Sequence, residues 1–172
     1  VDESADPHTD HANAHRIVQH FGADMLHVHG LGWHTWGEPW QVDELAVRRT
    51  AAGLGRIVLD EARGLLDAAA KLDDAEQRKQ ATTAGEARAK WARQCEFSKT
   101  IANAMSMVAP MLNIAPSRLD ADPLLLGCTN GVLDLRTGKL RPHRRADFIT
   151  QCCATSYSEN ATAPVWLRFV GE

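Results

Sequence analysis

The chain has 172 residues, 44% of them apolar and 24% charged, with a formal net charge of −3. That length supports a domain with a real core, and the mild acidity excludes a surface that grips nucleic acid on every side, so any such contact must be local. No run reaches the roughly 18 continuous apolar residues of a membrane span, and no basic-then-apolar leader opens the chain, so no membrane partner is expected and the cytoplasm is the expected compartment.

The first predicted element is a helix over 10–21, with Asp10 as N-cap, Ala14, Ile17, Val18 and Phe21 on one face, and Gly22 at its end. Met25–His29 and Trp33–Trp36, then Gly37-Glu-Pro39 before Trp40, predict a small Trp-rich β-hairpin. Its tryptophans Trp33, Trp36 and Trp40 could form a stacking platform for bases, but packing against the long helix that follows is expected, because a lone hairpin is marginal in water. A long helical stretch follows over 43–72, with Asp43 and Glu44 at its positive end. Its buried stripe is expected at Leu45, Ile57, Val58, Ala62, Leu65, Leu66, Ala69 and Leu72, with a kink or break near Gly53–Gly55.

Residues 73–85 are polar and read as either a solvated helix or an exposed connection. Helical periodicity returns over 86–108, with Trp91, Cys95, Ile101, Ala104, Met105 and Val108 as core candidates and Pro110 ending or bending the helix. Beyond Pro116 the pattern shortens to strand-like runs at Leu124–Leu126, Val132–Leu135, Leu140–Pro142 and Phe148–Thr150. Turn signals stand at Asn130-Gly131 and Thr137-Gly138. The expected fold is α+β and predominantly α-helical: a helical body, an N-terminal Trp-rich β-hairpin and a small antiparallel β element near the C-terminus.

The four cysteines, Cys95, Cys128, Cys152 and Cys153, form no Cys-x-x-Cys pair and predict reduced, mostly buried thiols. His11 and His15 are four apart on a helix, and His27 and His29 two apart on a strand. The Glu of a His-Glu-x-x-His motif is lacking and no Cys is placed to join them, so no metal is expected and scattered surface histidines are the better account. Asp120 and Asp122 resemble a two-metal carboxylate pair, but their place before Pro123 reads more easily as a turn with local side-chain-to-backbone bonds.

The run from Asp120 to His143 is the most specific in the chain, above all Asn130-Gly-Val-Leu-Asp-Leu-Arg-Thr-Gly138. It resembles the region just upstream of the superfamily-three helicase module in phage, plasmid and poxvirus DNA primase–helicases. In that family a strand like Asp147–Thr150 follows, then an Ala-x-x-Pro-x-Trp entry, here Ala161-Thr-Ala-Pro-Val-Trp166. Thr9-Asp-His-Ala-Asn-Ala-His-Arg16 is similar to its opening pattern, Trp33, Trp36 and Trp40 to its tryptophan-rich hairpin, and Ser98 with Ile101–Ala104 to a later helix. The resemblance marks Asn130, Gly131, Asp134, Gly138, Pro164 and Trp166 as structural motif positions.

The resemblance also implies a parent with a ring-forming helicase downstream, driven by ATP and Mg²⁺, and often a primase upstream. This chain itself is expected to be a single non-catalytic domain over 1–172, with a linker at 1–8 and a linker or helix toward the helicase beginning at 161–172. The start at Val1 and the amphipathic pattern opening at Trp166 agree with a piece of a longer polypeptide. No cofactor is expected within it. Gly138-Lys139 lacks the spacing of a phosphate-binding loop, with Gly131 seven residues ahead, and Leu140 has no hydroxyl for Mg²⁺.

For single-stranded DNA the candidates are Arg136, Lys139, Arg141, Arg144 and Arg145, because guanidinium groups donate paired hydrogen bonds to phosphate. The plain alternative is a solvated turn whose charges keep a sheet edge soluble. Three functions follow from these observations. One is a domain that helps assemble the helicase ring or guides DNA into it, with its helicase module and neighbouring subunits as partners. The others are a pure protein-interaction module and a metal-dependent nucleotidyl transferase or hydrolase.

Overall fold

A computed structural model describes residues 7–171, which gather into two compact units within the span read as one domain from sequence. The first holds residues 7–35 and 42–116, the second 36–41 and 117–171. At 52% helix with small sheets, the class is α+β with helix dominant, as the sequence predicts.

In the first unit, α1 (Asp10–Phe21) starts at Thr9, whose Oγ1 accepts the Ala12 N–H at 3.1 Å. The cap is therefore Thr9 and not Asp10, which instead sits in the first turn, where a carboxylate suits the positive helix end. Strands β1 (Met25–Val28) and β2 (Gly32–Trp36) pair antiparallel, with Leu26 opposite His34. Strand β3 (Trp40–Val42) follows, and the Asp43 N–H then donates to the Trp33 carbonyl. Asp43 caps α2 (Glu44–Ala51) through the Ala46 N–H. The long stretch breaks at Ala52-Gly53, as its glycines predict, and resumes as α3 (Leu54–Ala69).

The polar segment is helical from Ala75, within α4 (Ala75–Gln94). The periodicity read as one helix over 86–108 is two, because the chain turns at Cys95–Phe97 before α5 (Ser98–Met111), which ends one residue past Pro110. Short β4 (Asn113–Ile114) then pairs parallel to β1, with His27 opposite Asn113.

The core of this unit joins Ala14 and Ile17 of α1, Met25, Val47 and Ala51 of α2, Leu54 and Val58 of α3, Ala92, Cys95, and Ala104, Met105 and Val108 of α5. Of the stripe expected over 43–72, Val58, Ala62 and Ala69 are buried as predicted, but Leu45 and Leu65 are not. Leu45 is 72% exposed and Leu65 38%, while Val47 and Leu54 are fully buried. The break at Gly53 resets the helical phase, so a pattern carried back across it puts Leu45 on the buried face in place of Val47. Glycines also set how closely α3 meets α4: a Cβ on Gly85 would lie 2.7 Å from Leu66 Cδ2.

In the second unit, β5 (Leu125–Cys128), β6 (Gly131–Asp134) and β7 (Lys139–Arg141) form an antiparallel meander. Cys128 lies opposite Gly131, and Asp134 opposite Lys139. Val132, Leu133, Cys128, Ile149 and Trp40 are buried. The last element is α6 (Pro164–Val170).

Candidate nucleic-acid interface

The hairpin bearing the basic residues is built by side chains that bond backbone. Asn130, in the two-residue link between β5 and β6, donates Nδ2 to the Tyr157 carbonyl and accepts the Tyr157 N–H on Oδ1, at 2.9 and 3.0 Å. It therefore pairs with a distant segment as a strand residue would. Gly131 has φ 144°, and a Cβ there would sit 2.4 Å from the Arg141 carbonyl oxygen, so only glycine fits without displacement. Asp134 shapes the β6–β7 turn: its Oδ1 accepts the Arg136 N–H at 2.9 Å and its carbonyl accepts the Gly138 N–H at 2.8 Å. Gly138 takes φ 69° there, and the Tyr157 hydroxyl donates to its carbonyl. All four motif positions serve the turn geometry.

The five basic candidates share this unit but differ in how they are engaged. Arg136 reaches Asp122 Oδ1 at 2.7 Å and lies 3.7 Å from Asp134. The same guanidinium hydrogen bond, helped by the Leu124 N–H, holds the Asp122 carboxyl below the usual range. Arg141 is bidentate to Asp147, at 2.6 and 2.9 Å, with both side chains largely covered. Arg145 lies over the Trp36 ring, 5.2 Å from its centroid. Lys139 and Arg144 are exposed, and among the described residues neither has an ion-pair partner. The cations best placed for an incoming phosphate are therefore Lys139, on β7, and Arg144, next to Arg145 in the chain.

The aromatic neighbours are mixed in role. Trp40 is buried, donates Nε1–H to the Arg145 carbonyl at 2.9 Å and its backbone N–H to the Ile149 carbonyl. Of the hairpin's tryptophans, Trp33 packs against the core of the first unit, and Trp40 has the Arg145 and Ile149 carbonyls as hydrogen-bond partners. Trp36 is half-buried and meets Trp40 edge-on at 5.2 Å. Phe148–Thr150, expected as a strand, is not one. Phe148 takes φ 50°, and the Asp120 carboxylate accepts the Thr150 and Gln151 N–H groups and the Thr150 hydroxyl, supplying bonds a ladder would have made. Asp122 accepts the Leu124 N–H at 3.0 Å, the local turn bond its context predicts.

The family model described as D5 N terminal like matches residues 14–172. The chain belongs to this family. It represents the N-terminal domain of D5-type primase–helicase proteins, positioned upstream of a helicase module, and its context is DNA replication. Comparison with curated proteins finds no match.

The opening motif of this D5 N terminal like domain builds structure as well. Asp10 accepts from Asn103 Nδ2 at 3.0 Å, so the opening pattern and the Ile101–Ala104 motif meet directly. Asn13 and Arg16 are buried polar residues that periodicity missed. Arg16 donates to Glu61 at 2.7 and 2.9 Å, to Asn13 and to the Pro7 carbonyl, and Arg88 shares the Glu61 carboxylate. Asn13 in turn donates to the Cys95 thiol at 3.4 Å, and burial pushes that thiol up, so it stays protonated. The clue was present: Asn13 and Arg16 are three apart and flank Ala14 and Ile17 on one helical face. Of the expected 1–8 linker, residues 1–6 lie outside the described residues, whereas Pro7 bonds Arg16 and the His8 ring lies 5.7 Å from Trp91.

The remaining candidates divide as follows. Pro164 opens α6 and Trp166 lies 5.8 Å from Phe169, with Val165, Trp166, Leu167, Phe169 and Val170 all exposed. His11 and His15 approach to 3.1 Å on α1, while His27 bonds Asn113. Among the described residues no group of three or more His, Cys, Asp or Glu is arranged to hold a metal ion. No described helix is long and apolar enough to cross a membrane.

Proposed function

We propose that this domain is a non-catalytic accessory part of a DNA-replication primase–helicase, acting in the cytoplasm of a bacterial host of a phage or mobile element. Its β6–β7 hairpin guides single-stranded DNA, and the domain helps its helicase module and neighbouring subunits assemble as a ring. One observation carries the DNA reading: Lys139 on β7 and Arg144 after it are exposed and unpaired among the described residues, and Arg144 adjoins Arg145, which lies over the Trp36 ring. Cations hold a strand's backbone while an aromatic face accepts a base without reading its identity. Arg136 and Arg141, tied to carboxylates, contribute mainly by keeping the hairpin rigid.

The test is anisotropy of a labelled single-stranded oligonucleotide across a salt series, for the parent chain and for Lys139→Glu/Arg144→Glu. Each lost phosphate contact lowers the salt slope by about 0.7, so the double variant should lose about 1.4 and bind far more weakly. Equal binding by parent and variant would overturn the hairpin assignment. A second reading, a protein-interaction module without DNA contact, is favoured by the five exposed apolar side chains of α6. Concentration-dependent association in sedimentation velocity, abolished by Trp166→Glu and accompanied by no DNA binding, would establish it instead.

A further inference from the structure

A cleft of about 640 Å³ opens in the first unit between the end of α1, the end of α2 and the first turns of α3. His20, Phe21, Arg49, Thr50, Gly53, Arg56, Ile57, Asp60 and Glu61 line it. Its size lies in the range of about 300–1,000 Å³ usual for small-molecule sites. Phe21 and Ile57 are the large apolar side chains of the lining. Gly53 lies close against the Phe21 ring, where an added Cβ would come within 3.2 Å of Cζ.

The charge of this cleft is not balanced. Asp60 is held by Arg63 at 2.9 Å, and Glu61 is shared by Arg16 and Arg88. Neither lining carboxylate pairs with Arg49 or Arg56, which are exposed and form no ion pair with any described residue. The lining holds two guanidinium groups and two carboxylates, and both carboxylates are engaged by arginines outside the lining, Arg63, Arg16 and Arg88. Unpaired guanidiniums beside an apolar wall select a ligand with two parts. A bare anion would leave the wall wet, and a purely apolar molecule would leave both arginines without a partner.

We propose that this cleft binds a nucleoside phosphate, with the flat base against Phe21 and Ile57 and the phosphates on Arg49 and Arg56. Neither the family nor the hairpin reading supplies this site; it uses different residues on a different unit. The same chemistry is offered by a free nucleotide and by the 5′-phosphorylated terminal nucleotide of a single strand.

The test is titration calorimetry of the 172-residue chain with ATP, inorganic tripolyphosphate and adenosine, with amide hydrogen exchange locating the contact. ATP should bind at least tenfold more tightly than either half-ligand and protect amides within residues 49–57. Arg49→Gln/Arg56→Gln should weaken ATP tenfold or more with an unchanged helical spectrum, while Lys139→Glu/Arg144→Glu leaves it unaltered. That second variant separates this site from the hairpin, whatever becomes of the DNA reading. Displacement of ATP by a 5′-phosphorylated oligonucleotide, but not by its 5′-hydroxyl form, would make the occupant a strand terminus; no displacement by either would make it the free nucleotide. Tripolyphosphate binding as tightly as ATP, or no saturable binding at millimolar ATP, would overturn the proposal.

Discussion

Replacing Glu61 by Gln tests whether a single carboxylate holds α1, α3 and α4 together. Arg16 and Arg88 are only 10% and 14% exposed at the side chain, and both bond Glu61, itself 32% exposed. Glutamine keeps the shape and one acceptor but leaves two nearly buried guanidiniums without a counter-charge. Removing one partner of a buried pair costs about 3–5 kcal/mol. Solvent reaches this one, so the expected loss is about 2–4 kcal/mol, a fall in Tm of about 6–12 °C. Burial alone would raise the Glu61 carboxyl, but the hydrogen bonds and charge of Arg16 and Arg88 outweigh it and hold it below its ordinary 4.5. A carboxylate whose folded value lies below its unfolded one contributes stability that is complete above the unfolded value and lost as pH falls through the folded one. Parent and variant should therefore differ fully at neutral pH and converge below about 4.5. Helical circular dichroism in urea, repeated down the pH scale, measures both. Replacing all three charged residues together by Met or Leu should recover much of the loss. A Glu61→Gln protein as stable as the parent, or a gap independent of pH, would refute the reasoning.

Three further outcomes are expected in the second unit. Gly131→Ala, forced to φ 144° with its Cβ 2.4 Å from the Arg141 carbonyl oxygen, should cost about 2–4 kcal/mol. Hydrogen exchange should show lost protection confined to β5, β6 and β7. Asp120→Ala removes the acceptor of three hydrogen bonds from Thr150 and Gln151. It should cost about 1–3 kcal/mol by the same readout, while Asp120→Asn retains part of that. Asp147→Asn releases Arg141 from its bidentate partner and, if the hairpin meets DNA, should raise single-strand affinity severalfold at low salt; unchanged affinity would count against Arg141 lying within reach of the strand.

The helices were legible where periodicity and a cap coincide. Asp10–Phe21 matches its predicted span because the apolar spacing and the flanking Thr9 and Gly22 leave little freedom. Legibility failed where the helical phase is reset or where a helix lacks an apolar stripe. Gly53 divides α2 from α3, so the face projected across it put exposed Leu45 in the core and overlooked Val47 and Leu54. Helix α4 is mostly polar over 75–85 and is held by its approach to α3 at Gly85, a contact that no local pattern announces. Phe148–Thr150 has strand-like composition, but Asp120, some thirty residues earlier, captures its backbone.

The same contrast runs through the candidate interface. The basic run was visible, but the pairing of its members was not, because Asp122 meets Arg136 only once β5 pairs with β6, and Asp147 meets Arg141 only once the chain turns after β7. The positions marked by the resemblance hold this fold in place: Asn130 grips the Tyr157 backbone and Asp134 closes the turn, while Asn13 with Arg16 anchors a buried network. A clamp must stay in place for the fold and is poorly suited to reorganise around a ligand. Contacts with DNA should therefore come from side chains the clamps present but do not use. Among the basic candidates those are Lys139, on β7, and Arg144, just beyond it, neither of which is among the marked motif positions. Arg136 sits inside the motif yet is committed to Asp122, so its substitution should loosen the turn before it weakens any phosphate contact.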